Sequence, residues 1–174
     1  MGIQIGARPD SGFDDPLGML KDCHRRIESF LRVLCTVAER AHGQPMTLEE
    51  SDAVQSALSY FRTGGQRHTA DEEESLFPRL RKAGASAEIS ELEDDHREAS
   101  ELHGEVETIY RRWMADAELL ERDAESLKVA TERLRELYDA HIRVEDEVVF
   151  PKAAQVLDKG AIRAIGEEFR ARRV

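Results

Sequence analysis

Apolar residues return every three to four positions along most of the chain, the spacing that lines one face of an α-helix. In the first such stretch Leu20, Ile27, Leu31, Leu34, Cys35 and Ala38 form the stripe. Asp14 or Asp15 caps it with Pro16 in the first turn, and His42-Gly43 stops it near Ala41. The second stretch opens at Thr47, with Glu50 at capping-box spacing, and runs through Val54, Leu58, Phe61 and His68 to about Phe77. Gly64-Gly65 interrupts it and points to close packing or a local deformation, since each Gly costs about 1 kcal/mol against Ala in a helix interior. Pro78 kinks or ends this helix, and Ala83-Gly84 closes the element.

Ser86 or Ser90 caps a third helix, which carries Ile89, Leu92, His96, His103, Val106, Ile109 and Tyr110 to near Asp116. A fourth runs from about Asp123 to Leu157 through Leu127, Leu134, Leu137, His141 and Val148, kinked at Pro151. Lys159-Gly160 breaks the pattern before a tail helix, Ile162 to Arg172. Residues 1–14 hold three Gly, a Pro and no period, so they read as a flexible N-terminal arm. Four long helices on short connections predict an all-α fold: an antiparallel up-down-up-down four-helix bundle with a short C-terminal helix, one domain over residues 15–174.

Composition narrows the partners. Of 174 residues, 40% are hydrophobic and 35% charged, which suits amphipathic helices with solvated outer faces. The net charge of −11 argues against nucleic acid and against an anionic membrane surface. No apolar run approaches the roughly 18–20 residues that span a bilayer, and nothing reads as a signal peptide. Cys23 and Cys35 fall on one predicted helix, too far apart to bridge, so both read as buried, inert thiols and the expected location is cytoplasmic.

Candidate chemistry comes from a segment that occurs twice. His68-Thr69-Ala70-Asp71-Glu72-Glu73-Glu74-Ser75-Leu76-Phe77-Pro78 and His141-Ile142-Arg143-Val144-Glu145-Asp146-Glu147-Val148-Val149-Phe150-Pro151 share His, then Glu at four and six residues on, then Phe-Pro at nine and ten. Positions i and i+4 of a helix lie about 40° apart and one turn up, so His68 shares a face with Glu72, and His141 with Glu145. Each predicted helix also carries one His in its apolar stripe: His24, His68, His96 and His141. A single His on an apolar face is more often a core residue with one hydrogen bond than a ligand. Four of them, joined by two carboxylates that are costly to bury without a partner charge, point to a metal site inside the bundle.

The order His24, then His68 and Glu72, then His96, then His141 and Glu145 resembles the haemerythrin-like family, or HHE cation-binding domain. The likeness covers roughly residues 16–157; the paired Phe-Pro and the Arg-rich C-terminus also resemble it. It implies a non-haem centre of two iron ions, with His24 and His68 on one, His96 and His141 on the other, Glu72 and Glu145 bridging, and an oxo, hydroxo or water bridge. Oxygen-carrying haemerythrins have a second His one turn after the third-helix ligand and an Asp as one bridge. Here those positions are Ser100 and Glu145, which implies open sites on both irons and likeness to four-His, two-Glu members that handle oxygen, nitric oxide or iron stress.

Other polar residues read more plainly. His103, two turns or about 10 Å from His96, reads as a core or supporting residue. Glu73, Glu74, Asp146 and Glu147 read as a solvated face, and Tyr110 as a core residue. Glu28 either lines an access route or meets a surface Arg. A ferritin-like site needs Glu-x-x-His twice, and the chain has it once, at Glu93 and His96. The His-Glu-x-x-His of zinc hydrolases is missing. The expected function is binding, sensing or reduction of a small gaseous or peroxide ligand (O2, NO or peroxide). The alternatives are an iron sensor or buffer acting on a protein partner, and a metal-free helical adaptor.

Overall fold

The structure, a computed structural model, describes residues 10–174. Every regular element among the described residues is helical. Helix α1 spans Pro16–Ala41. The second helical run comprises α2 (Leu48–Tyr60), a π-helical turn Phe61–Gly65, α3 (Gln66–Asp71), a second π turn Glu72–Leu76, and α4 (Phe77–Lys82). The third is α5 (Ser86–Asp116). The fourth comprises α6 (Glu121–Val144), a π turn Glu145–Val149 and α7 (Phe150–Val156), and α8 (Lys159–Ala171) closes the chain. Around the bundle α1 packs on α2 and α6, and α5 on α6, α2 and α4. The loops after α1 and α5 meet at one end, where Leu119 N–H donates to Gly43 O at 2.8 Å and Trp113 Nε1 to Gln44 O at 3.0 Å. An up-down-up-down order requires that meeting.

Several predicted helix signals operate in the fold. Asp15 caps α1 by accepting from Gly18 N at 3.0 Å, with Pro16 opening the helix. The left-handed residues His42 and Gly43 follow its last turn. Thr47 and Glu50 form the full capping box, at 2.8 and 3.2 Å. Neither Ser86 nor Ser90 caps α5: Ala85 precedes it, and Ser90 Oγ donates to Ser86 O within it. Burial of Ala85 and its N–H bond to Leu80 O fix that start instead. Lys159-Gly160 opens α8 rather than breaking a helix, because Asp158 caps it by accepting from Ala161 N at 2.7 Å.

The prolines end nothing. Before each Phe-Pro the helix widens into a π turn, and the N–H of Phe77 and of Phe150 reaches back five residues, to Glu72 O and Glu145 O. A Pro ring would clash with the carbonyl four residues earlier, and the extra residue in the preceding turn relieves this. The Gly64-Gly65 pair sits in the remaining π turn, where a Cβ on Gly64 would come 2.6 Å from the Tyr60 ring.

Two apolar clusters make up the core. One includes Leu34, Val54, Tyr110, Trp113 and Leu134; the other includes Leu20, Phe77, Leu80, Phe150 and Phe169. On α1 the stripe passes from Leu20 in one to Ile27 in the other across His24, and on α5 from Leu92 to Ala99 across His96. The polar layer therefore lies between two dry ones. Of the predicted arm, residues 1–9 lie outside the described residues. Residues 10–13 are tied down: Asp10 pairs with Arg26, Ser11 N–H donates to Asp22, and Phe13 packs under Arg170. Among the described residues no helix is long and apolar enough to cross a membrane.

Candidate metal centre

His24 on α1, His68 on α3, His96 on α5 and His141 on α6 converge with Glu72 and Glu145, which open the second and third π turns. The six fall into two overlapping sets: His24, His68, Glu72 and Glu145, and Glu72, His96, His141 and Glu145. Within each set one donor atom per residue lies within 4.8 Å of the others. Both carboxylates belong to both sets. These are the groupings that the family resemblance implied. Glu72 and Glu145 are fully buried, and His24, His68 and His141 are no more than 3% exposed.

Each imidazole turns its Nε2 to the centre. His24 Nε2 lies 3.0 Å from Glu145 Oε2, His68 Nε2 3.4 Å from Glu72 Oε1, His96 Nε2 3.3 Å from Glu72 Oε2, and His141 Nε2 3.4 Å from Glu145 Oε2. These approaches lack the alignment of hydrogen bonds. Both oxygens of both glutamates and Nε2 of His24 and His141 are buried without a hydrogen-bond partner. Such groups cost about 1–3 kcal/mol each, more when charged, so a core with six of them facing inward is built for a cation. Mixed imidazole and carboxylate donors suit iron, manganese or zinc.

Electrostatics without a metal show the same tension. Burial pulls the His24 imidazole down, but the carboxylates of Asp146 and Glu145 outweigh it and hold its pKa up at about 10. His141 is raised despite burial, chiefly by Glu145. Burial and the Glu145 charge push Glu72 well above the usual carboxylate range. Glu145 is held well below it, because the close imidazoles of His141 and His24 overcome its burial. Burial takes His68 well below an ordinary imidazole, helped by the charge of His24.

The outer side of the centre is where sequence reasoning fell short. Glu73 and Asp146, expected on a solvated face, instead brace two of the inward-facing histidines: Glu73 Oε1 lies 2.8 Å from His96 Nδ1, and Asp146 Oδ1 3.1 Å from His24 Nδ1. Asp95, not singled out in the sequence, lies 3.1 Å from His141 Nδ1. His68 Nδ1 is buried with no hydrogen-bond partner. Such carboxylate contacts fix the tautomer that leaves Nε2 free for a metal. The repeat held the signal, because the residue after each of the two shared glutamates is acidic in both copies. Of the others on that face, Glu74 takes a bond from Arg172 Nε at 3.0 Å and Glu147 is exposed.

The remaining candidates separate cleanly. His103 belongs to neither donor set; its Nε2 is hydrogen-bonded with the Tyr138 hydroxyl at 3.1 Å, and burial lowers its pKa to about 4. Tyr110 is a core residue whose O–H donates to Leu34 O. Glu28 is exposed on α1. Cys23 and Cys35 are unpaired and half-buried rather than fully buried, and burial raises both thiols. Ser100 is exposed and lines, with His96, His103 and Tyr138, a cavity of about 310 Å³ between the second run and α5. Small residues on its walls, Gly65, Ala99 and Gly104, keep it open.

Comparison with known proteins agrees with this geometry. An uncharacterized protein of Haemophilus influenzae is 28% identical over 168 residues, covering 92% of this chain and 91% of its own. The sequence profile of the Hemerythrin HHE cation binding domain matches residues 15–153, a span that contains all six inward-facing residues. The chain belongs to the haemerythrin HHE cation-binding domain family.

Proposed function

We propose that the chain holds two iron ions and binds or reduces a small oxidant: O2, NO or peroxide. His24 and His68 would serve one ion, His96 and His141 the other, and Glu72 and Glu145 both. The observation that carries this is two donor sets sharing two carboxylates, with an open cavity that one of their histidines, His96, helps to line. The ions would supply electrons and open coordination positions. The protein does the rest. Glu73, Asp146 and Asp95 hold three imidazoles in the binding tautomer. Phe150 and Phe77 stack on His24 and His96 and keep water from that side. The cavity along Ser100 and Ala99 admits the oxidant toward His96. Two unpaired thiols suit a reducing compartment, here the cytoplasm.

Iron per chain, with absorbance between about 300 and 500 nm before and after O2, tests this reading. Two irons and an oxidant-sensitive band are expected, and His141→Ala should lose most of the metal. A His141→Ala protein that kept two irons would refute the assignment.

A further inference from the structure

The two halves of the chain repeat each other beyond the segments already described. Asp22-Cys23-His24-Arg25 and Asp94-Asp95-His96-Arg97 differ only at their second position. Each carries the same ion pair one turn long, Arg25 with Asp22 and Arg97 with Asp94. His24 thus corresponds to His96, and His68 to His141. Three supporting contacts obey this correspondence. Asp146 follows Glu145 and braces His24; Glu73 follows Glu72 and braces His96. Asp95 precedes His96 and braces His141. The fourth contact would come from the residue before His24 and reach His68. That residue is Cys23, on the side of α1 that meets the second run, where Tyr60 O–H donates to Cys23 O at 3.4 Å. His68 Nδ1 is the one site-histidine Nδ1 left buried without a hydrogen-bond partner.

We infer that the two metal positions are unequal: Cys23 stands where a carboxylate would brace His68, so the position served by His24 and His68 holds its metal more weakly than the one served by His96 and His141. This rests on the metal-binding reading above. A carboxylate on Nδ1–H fixes the ring and strengthens Nε2 as a donor, whereas thiol sulfur is a weak acceptor. Loss of such a partner lowers metal affinity about 10–100-fold. One position therefore fills last and empties first.

The test loads the full chain anaerobically with ferrous iron, equilibrates it against a graded chelator series and counts iron per chain. Wild type is expected to give up one iron at a chelator level about 10–100-fold below the other. Cys23→Asp should tighten the looser iron by a similar factor, and Cys23→Ser, which adds no carboxylate, should not. Asp95→Cys makes the second half resemble the first and should loosen the tighter iron; it decides the matter if Cys23→Asp fails to fold. Retention curves for Cys23→Asp and Asp95→Cys that both superimpose on wild type would overturn the inference and leave the metal-binding reading standing. A chain that takes up no iron at all would sink that reading itself.

Discussion

Glu73 Oε1 lies 2.8 Å from His96 Nδ1, on a different helical run, while the adjacent Glu72 turns both carboxylate oxygens into the centre. Neighbouring residues of one π turn thus face the centre and the outer side of one of its histidines. Asp146 and Glu145 repeat the arrangement around His24. The widened turn after each carboxylate belongs to this function as much as to the accommodation of Pro78 and Pro151.

Glu73→Gln removes the charge from that contact and keeps its size. Metal affinity at the His96 position should fall about 10–100-fold, with little change in the metal-free melting temperature, because Glu73 is 38% exposed. Chelator competition and calorimetry of the metal-free protein measure the two quantities. Unchanged affinity would show that packing on Phe77 and His141 holds the His96 ring without Glu73.

Much of this site was legible before the fold was known. His24, His68, His96 and His141 each interrupt an apolar stripe, and a helix period fixes which face they share with Glu72 and Glu145. The supporting carboxylates were not legible in that way. Glu73 and Asp146 sit at the stripe's edge, with part of the carboxylate in water and one oxygen against a ring on another helix. A helical period says which face a residue is on, not what crosses from the neighbouring helix. Phe-Pro likewise announced a disturbance, but whether Pro78 ends a helix depends on the packing of its neighbours, and Phe77 and Leu80 are buried deeply enough to keep the helix going.

Acidity should act on the metal-free and metal-loaded proteins in opposite senses. In the metal-free fold His24 is held at about 10 against 6.5 for a free imidazole. A group whose pKa is raised by folding stabilises fully below its unfolded value and loses that contribution as pH rises through the folded one. The raised pKa values of His141 and Glu72 add slopes of the same sign. Metal-free stability should therefore fall from about pH 6.5 to about pH 10, by on the order of 5 °C or more in Tm. Metal must displace the His24 proton, so affinity should rise over that window and loading should release protons. Calorimetric scans across the window, and loading in weakly buffered indicator dye, measure these. A metal-free Tm that climbs with pH would contradict the charge assignment of the core.

Ser100 lies one turn beyond His96 on α5, exposed at the wall of a cavity that both residues line. A side chain four residues on from a ligand shares its face, so Ser100→His would direct an imidazole over the cavity's inner end. It would supply the donor that oxygen-carrying haemerythrins place there, and it would also narrow the path proposed above for an oxidant. Both effects act in one direction: the reduced, iron-loaded variant should react with peroxide or NO more slowly, on the order of tenfold, which is about 1.4 kcal/mol in the barrier. Iron content should stay at the wild-type level, because none of the six inward-facing residues is changed. Ser100→Ala separates the two effects, since it neither adds a donor nor narrows the cavity and should react at the wild-type rate. Stopped-flow absorbance of the three proteins at matched iron loading gives the rates. If Ser100→His reacts as fast as wild type, the oxidant approaches the centre by a route that does not pass Ser100.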